Sequence, residues 1–423
     1  MPIRAPHLHD ALRAFCLGAF AQLGPELEQG GEIPFSLDRS ANGFTEYRPL
    51  IADHVQARAY SLAQLEDARI AIDELERDPA AKLFASGHVG QSEERALFRT
   101  ILLPLLTRTA ERCGGFDWED GAFERVYADL ERSLYGTNRA YRAVAPLVGL
   151  SIGVPIALAA GVRVAETTAD EIAGRWPEAV DLLPSGFGLE PERTCVLELE
   201  RDLPAGAEEP PDSPADLADA VTALRLATGA PVAAGPVVFE RLDWSPFGIR
   251  PMLAIAATEP AGEATRLDPW RGKLAADLLE RLVATEHDTE LGEALERWEL
   301  SLFEDDPVRS ERLREALAAL LGGADGLWAA SMRAAVLVGD PGPEREGLVA
   351  GLQALARGES AHEDAAEVLR RAFVEAILHE DRARLIAALD DALLGLRARP
   401  PGYYAYRATD VASPGTGMSG TAA

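Results

Sequence analysis

The chain has 423 residues, 47% hydrophobic and 26% charged, a balance that builds packed cores and excludes a mainly disordered protein. Its net charge of −28 repels phosphate backbones, and no Lys/Arg run segregates a basic face, so DNA is excluded as a partner. Cys16, Cys113 and Cys195 lie far apart and form no C-x-x-C, which supports neither a disulfide framework nor a zinc ribbon and fits a reducing cytoplasm.

Near the N-terminus, Asp10 and Arg13 interrupt the apolar stretch around Ala19-Phe20-Ala21, so an amphipathic helix is expected there and not a secretory signal. A polar, Gly-rich opening follows around Gln29 to Gly43. Helical spacing then runs from Thr45 to Ser86, from Glu93 to Cys113 and from Asp120 to Tyr135, and Leu97, Ile101, Leu102, Leu105 and Leu106 show it best. Pro104 is expected to kink the second of these helices, and Gly114-Gly115 to stop it. Residues 1–140 are thus read as a helical region.

Ala143 to Gly161 is free of charge and approaches the length of a membrane span. Pro146, Gly149, Gly153, Pro155 and Gly161 would leave backbone groups unsatisfied in lipid, so the stretch is read as a buried loop leading into a hairpin, with no membrane partner. Val154-Pro-Ile-Ala-Leu, Gly161-Val-Arg-Val-Ala, Cys195-Val-Leu-Glu-Leu and Val237-Val-Phe-Glu-Arg-Leu are short alternating or β-branched runs that predict strands. Ser213-Pro214 predicts a capped helix start with Pro in first position, Gly229 its end, and Glu208 to Pro214 an exposed loop. Residues 141–265 therefore form a small α+β region with antiparallel pairing.

From Trp270 the strands stop. Leu278, Leu279, Leu282, Leu291, Leu295, Trp298 and Leu302 keep helical spacing, and Asp306-Pro307 reads as an acidic cap before a first-position Pro. Further helices are expected over 327–338, 344–356, 361–378 and 382–394, making 266–398 a helical bundle. The segment 399–423, rich in small and polar residues, reads as a flexible tail. The fold class is α+β and predominantly α-helical.

Several motif matches lack their structural context. Gly149-Leu-Ser151-Ile-Gly153 fits the hydrolase turn G-x-S-x-G, yet Pro155 follows where a helix should begin, so a tight buried turn is expected. Gly415-Thr-Gly417-Met-Ser-Gly420 fits G-x-G-x-x-G at the chain's end, where no helix can follow, and Gly272-Lys273 lacks the earlier glycine of a phosphate loop. Asp305-Asp306 and Asp117, Glu119 and Asp120 precede helices, where acidic side chains serve as caps. The seven histidines contain no H-E-x-x-H, and no metal ligands or cofactor site are expected.

Arg357-Gly-Glu-Ser-Ala-His362 is the one chemically suggestive pair. With Arg312 to Gly323, Ala329 to Gly339 and Leu348 to His362 in succession, the region from Arg266 to Leu396 resembles HEPN domains of the ApeA-like type, with their R-x4-H helix. The resemblance implies a metal-independent, usually dimeric ribonuclease, in which Arg357 stabilises the charged phosphorane and His362 acts as acid or base. Two departures stand against it. Active members carry both residues on one helix with a polar residue after the Arg, whereas here Gly358 follows and Ser360 with Glu363 spells a capping box. In the alternative reading Arg357 is a cation at a helix C-terminus and His362 a first-turn residue.

Trp244 and the group Tyr403, Tyr404 and Tyr406 read as domain-edge packing or as a partner surface. The expectation is a cytoplasmic, non-catalytic interaction or regulatory protein with a HEPN-like bundle, working with a protein partner or as a homodimer. The alternatives are a ribonuclease of a defence or stress system, under which alone RNA is a partner, and a small-molecule-binding module in the middle region.

Overall fold

The fold is described from a computed structural model for residues 4–28, 31–39, 45–86, 92–136, 138–173, 176, 179, 181–188, 194–204, 207, 209–243, 245–258, 263–284, 287–360, 363–379 and 381–402. Helix α1 (Pro6–Glu28) leads, followed by strands β1 (Phe35–Arg39) and β2 (Thr45–Pro49) and helices α2 (Ile51–Gln56), α3 (Ala59–Leu62), α4 (Glu66–Glu76) and α5 (Pro79–Ser86). Leu8, Leu12, Phe15, Ala19 and Leu23 are buried at three- and four-residue steps, so α1 turns one stripe inward. Thr45 to Pro49 departs from the helical expectation: it pairs antiparallel with Phe35 to Arg39, and helix begins only at Ile51.

Helix α6 (Glu93–Leu97) continues through a π-helical turn (Phe98–Leu102) into α7 (Leu103–Cys113), and α8 (Asp120–Tyr135) completes the set. The expected irregularity at Pro104 is this widened turn just before it. Proline has no N–H to donate and crowds the carbonyl four residues back, and an i→i+5 turn relieves both. Gly114 ends α7 in the left-handed conformation, φ 74°, as its position predicts.

The middle region contains β3 (Asn138–Val148), β4 (Leu150–Ser151), β5 (Ile156–Ala159), β6 (Val162–Glu166), α9 (Ala169–Ala173), β7 (Cys195–Pro204), α10 (Ser213–Thr228), β8 (Ala233–Ala234), β9 (Val237–Leu242), β10 (Ser245–Pro251), α11 (Ala254–Ala257) and β11 (Thr265–Arg266). The main sheet runs β10-β9-β3-β7-β6-β5, antiparallel throughout, with β8 also on β3; β4 and β11 make a separate two-residue parallel pair. Residues 143–148 are therefore the C-terminal half of β3, not the expected loop. Pro146 is tolerated there because pairing with β9 ends at Val144, and its carbonyl accepts from Gly235 N at 2.6 Å.

Helices α12 (Pro269–Ala284), α13 (Thr289–Ser301), α14 (Val308–Leu321), α15 (Gly326–Val338), α16 (Pro343–Ala356), α17 (Glu363–Leu378) and α18 (Arg382–Leu393) form the C-terminal bundle. Trp298, Leu317, Leu320, Ala334, Leu352 and Phe373 fill its interior, and one buried cluster runs on from α1 through one face of the sheet to α18. Among the described residues no helix is long and apolar enough to cross a membrane. The protein is thus α+β and mostly helical, with a small antiparallel sheet in its middle.

Several expected caps are something else. Asp306 makes no cap bond to α14 and accepts from the Ser310 hydroxyl, while Asp120 is held by Arg13, at 2.5 Å, and by Trp118 Nε1, at 3.0 Å. Ser213 and Pro214 are buried, so the end of the loop expected over Glu208 to Pro214 lies inside the protein. Arg399, at the start of the expected tail, donates to Gly339 O at 2.6 Å and pairs with Asp340. Trp244, the three tyrosines from Tyr403, and the glycine motif at 415–420 lie outside the described residues.

Candidate functional site

Arg357 stands at the end of α16, in αR conformation, and Gly358 follows at φ 84°. Gly358 N donates to Leu355 O at 3.0 Å and Glu359 N to Ala354 O at 3.1 Å, a Schellman closure that consumes the last carbonyls of the helix. The exposed Arg357 side chain donates from Nε to Glu359 at 2.8 Å. The helix preceding Arg357 thus ends at Ala356, and the next begins at Glu363. His362, and the Glu363 side chain of the expected capping box, lie outside the described residues, so Arg357 is seen only in its helix-terminal role.

Chemistry concentrates instead on the sheet. Strand alternation sends Tyr141, Ala143, Leu197, Leu199, Val164 and Leu242 to the face shared with the main core. On the opposite face Val144, Ala165, Val196 and Phe239 are covered by Ile172, Trp176, Ala179 and Phe187, a second and smaller core. Farther along, that face becomes charged. Antiparallel register puts Arg142 opposite Glu200 on one side and Arg241 on the other, with Arg163 opposite Glu198. Arg142 pairs with Glu200, and Arg163 donates from Nε to Glu198 at 2.6 Å. The bond to Glu198 is also what raises the pKa of Arg163.

A groove of ≈ 340 Å³ opens on this charged half, lined among others by Ala140, Arg142, Glu200, Asp202, Arg241 and Asp243. Its origin is Ala140, opposite Asp202 and two residues along the strand from Arg142, where a small side chain leaves a gap between longer neighbours. Asp243 closes one end. It occupies the β9–β10 turn with φ 51°, a left-handed conformation that Asp tolerates better than most residues. Its backbone N donates to Ala140 O at 2.7 Å, while its carboxylate accepts from Ala140 N at 2.8 Å and from the Ser133 hydroxyl. The turn is thereby tied to both β3 and α8.

Behind the groove, on the core side of the same strands, Glu240 is fully buried. Arg250 Nε donates to Glu240 Oε1 at 2.8 Å, and Ser213 Oγ donates to the same oxygen at 2.7 Å, as does the Tyr141 hydroxyl. Arg250 Nη2 also donates to Ser213 Oγ at 3.0 Å and to the Tyr141 oxygen at 3.4 Å. Each hydroxyl therefore accepts from the cation and donates to the anion. Burial, with Glu240 nearby, pushes the Tyr141 phenol well up and keeps it a donor. For Arg250, burial opposes the charge, but the bonds and charges of Glu240 and Tyr141 together outweigh it and the pKa is raised. Glu240 Oε2 has no hydrogen-bond partner. Ser213, expected as a helix cap, serves this network instead.

Elsewhere the described residues offer little reactive chemistry. Burial pushes the Cys195 thiol up to about 11 and the buried Cys16 thiol higher still, away from the nucleophilic thiolate. His54 is buried, and its pKa is lowered by that burial and by Arg58. Among the described residues no group of three or more His, Cys, Asp or Glu side chains is placed to hold a metal ion. No sequence motif marks the charged sheet residues. A period-two signal was nevertheless present in Cys195-Val-Leu-Glu-Leu-Glu-Arg-Asp202, whose acidic residues at 198, 200 and 202 share one face.

Compared with known protein families, with curated proteins and with solved structures, the chain matches none of them.

Proposed function

We propose that this chain is a cytoplasmic, non-catalytic binding protein of the interaction or regulatory kind, with a HEPN-like helical bundle as scaffold and the charged sheet groove as its recognition surface. The observation that supports the reading is the groove over Ala140, where arginines and carboxylates from three adjacent strands surround a recess of ligand size. A sheet face left solvated commonly carries scattered polar residues, whereas here the charges line one cavity beside an apolar half that is covered. The helix end at Arg357 favours the same reading, because an arginine engaged by Glu359 in a closed helix terminus has an ordinary structural role.

The test is incubation of the purified protein with labelled structured and unstructured RNA in EDTA, beside an Arg357→Ala/His362→Ala double variant. RNA left intact by both proteins is the expected result. Cleavage by the wild type that disappears in the double variant would overturn the non-catalytic reading and establish the ribonuclease instead.

A further inference from the structure

From the arrangement of charges in the groove we infer that its ligand is a small zwitterion, a molecule with a carboxylate at one end and an ammonium a few bonds away. The inference rests on the binding reading above and specifies its ligand class. Register defines two rows across the sheet. The first is Arg241–Arg142–Glu200, and the second, two residues farther along the strands, holds Ala140 opposite Asp202, with Asp243 at the turn end. Two residues of strand span about 7 Å, so the cationic pair Arg142 and Arg241 and the acidic pair Asp202 and Asp243 that flanks Ala140 stand at the separation of the two ends of a short amino acid chain.

The two edges differ in what they have left to offer. Asp243 already accepts from Ser133 and Ala140 N, but Asp202 is exposed and makes no hydrogen bond or ion pair among the described residues. Asp202 is therefore the anchor for the ammonium. Arg142 spends one terminal nitrogen on Glu200, and a guanidinium carries five N–H donors, so it retains capacity for a carboxylate. The charges on the groove face are of both signs, Arg142 and Arg241 against Glu200, Asp202 and Asp243, while Arg201 alternates to the other face and pairs with Asp216. A polyanion or an apolar molecule meets no complementary surface there, whereas a molecule of balanced charge does. A volume of ≈ 340 Å³ lies at the small end of ligand sites.

The experiment is calorimetric titration of the full chain with 5-aminopentanoate, and with pentanoate and pentylamine as singly charged controls. Saturable binding of the zwitterion is expected, with each control about tenfold weaker or worse because one charge-assisted contact is missing. Asp202→Asn, an exposed change that leaves the fold intact, should weaken the zwitterion by about the same factor and leave pentanoate unaffected. Equal binding of pentanoate and the zwitterion, full affinity in Asp202→Asn, or no heat from the wild type at millimolar ligand would each overturn the inference. None of these outcomes bears on RNA cleavage, so failure of the ligand class is distinguishable from failure of the non-catalytic reading.

Discussion

Glu240 and Arg250 face each other diagonally across the β9–β10 ladder, inside the protein, and are joined directly as well as through two hydroxyls. Ser213 brings the first turn of α10 into the same network, so three strands and a helix meet at one ion pair. A buried pair of this kind is costly to assemble and costlier to break, because removing one partner strands the other charge away from water.

The first prediction follows from that asymmetry. Glu240→Ala should lower the unfolding free energy by about 3–5 kcal/mol by leaving Arg250 uncompensated. The double change Glu240→Leu/Arg250→Met should lose less than Glu240→Leu and Arg250→Met added together. Urea titration of the four proteins in a double-mutant cycle measures this, and strict additivity would show that the pair is not energetically coupled.

In the C-terminal bundle Arg333 has a corresponding structural role. Its side chain is 3% exposed, donates to Leu321 O at 2.8 Å and to Gly322 O at 3.1 Å, and pairs with Asp325 and Asp390. It therefore closes the C-terminal carbonyls of α14 while linking α15 to α18. Arg333→Ala should cost about 3 kcal/mol, and Arg333→Lys should recover little of it, since one ammonium cannot reach four acceptors in a planar fork. Chemical denaturation of both variants gives the comparison.

Asp288 sets a pH dependence. Its burial works to raise the pKa, but the bonds from Arg382 and from Leu291 N at the start of α13 prevail, and the pKa lies below the ordinary carboxylate value. A carboxylate depressed in the folded state binds fewer protons there than in the unfolded chain. Its stabilisation is accordingly present above the unfolded pKa of about 3.9 and is lost as pH falls through the lower folded value. Melting temperature followed from neutral to acid pH should fall less steeply for Asp288→Asn than for the wild type. Parallel curves would show that the Arg382 bond contributes nothing to the acid transition.

Much of the architecture was legible in local pattern. Leu97, Ile101, Leu105 and Leu106 recur at helical spacing and are buried, Gly114 and Gly229 end their helices in left-handed geometry, and the runs at Val162, Cys195 and Val237 are strands. These features depend on periodicity and on glycine's freedom at positive φ, both of which act within a few residues. Thr45 to Pro49 and Ala143 to Val148 misled because strand formation there depends on a partner elsewhere in the chain, Phe35 to Arg39 in one case and β7 in the other. An apolar run says that it is buried, not which backbone it pairs with.

The groove was less legible still. Nothing near Glu240 in the chain distinguishes it from an exposed acid, for Tyr141, Ser213 and Arg250 lie 99, 27 and 10 residues away. Composition and periodicity by themselves determined a mostly helical α+β protein and the ends of many of its helices, because those depend on burial and on local backbone conformation. Which charges face one another, which hydroxyl caps a helix and which completes an ion pair, and that a recess opens over Ala140, were decided only when register aligned distant strands. Electrostatic partners are chosen by distance in space, and the antiparallel sheet with the start of α10 brings these within a few ångströms.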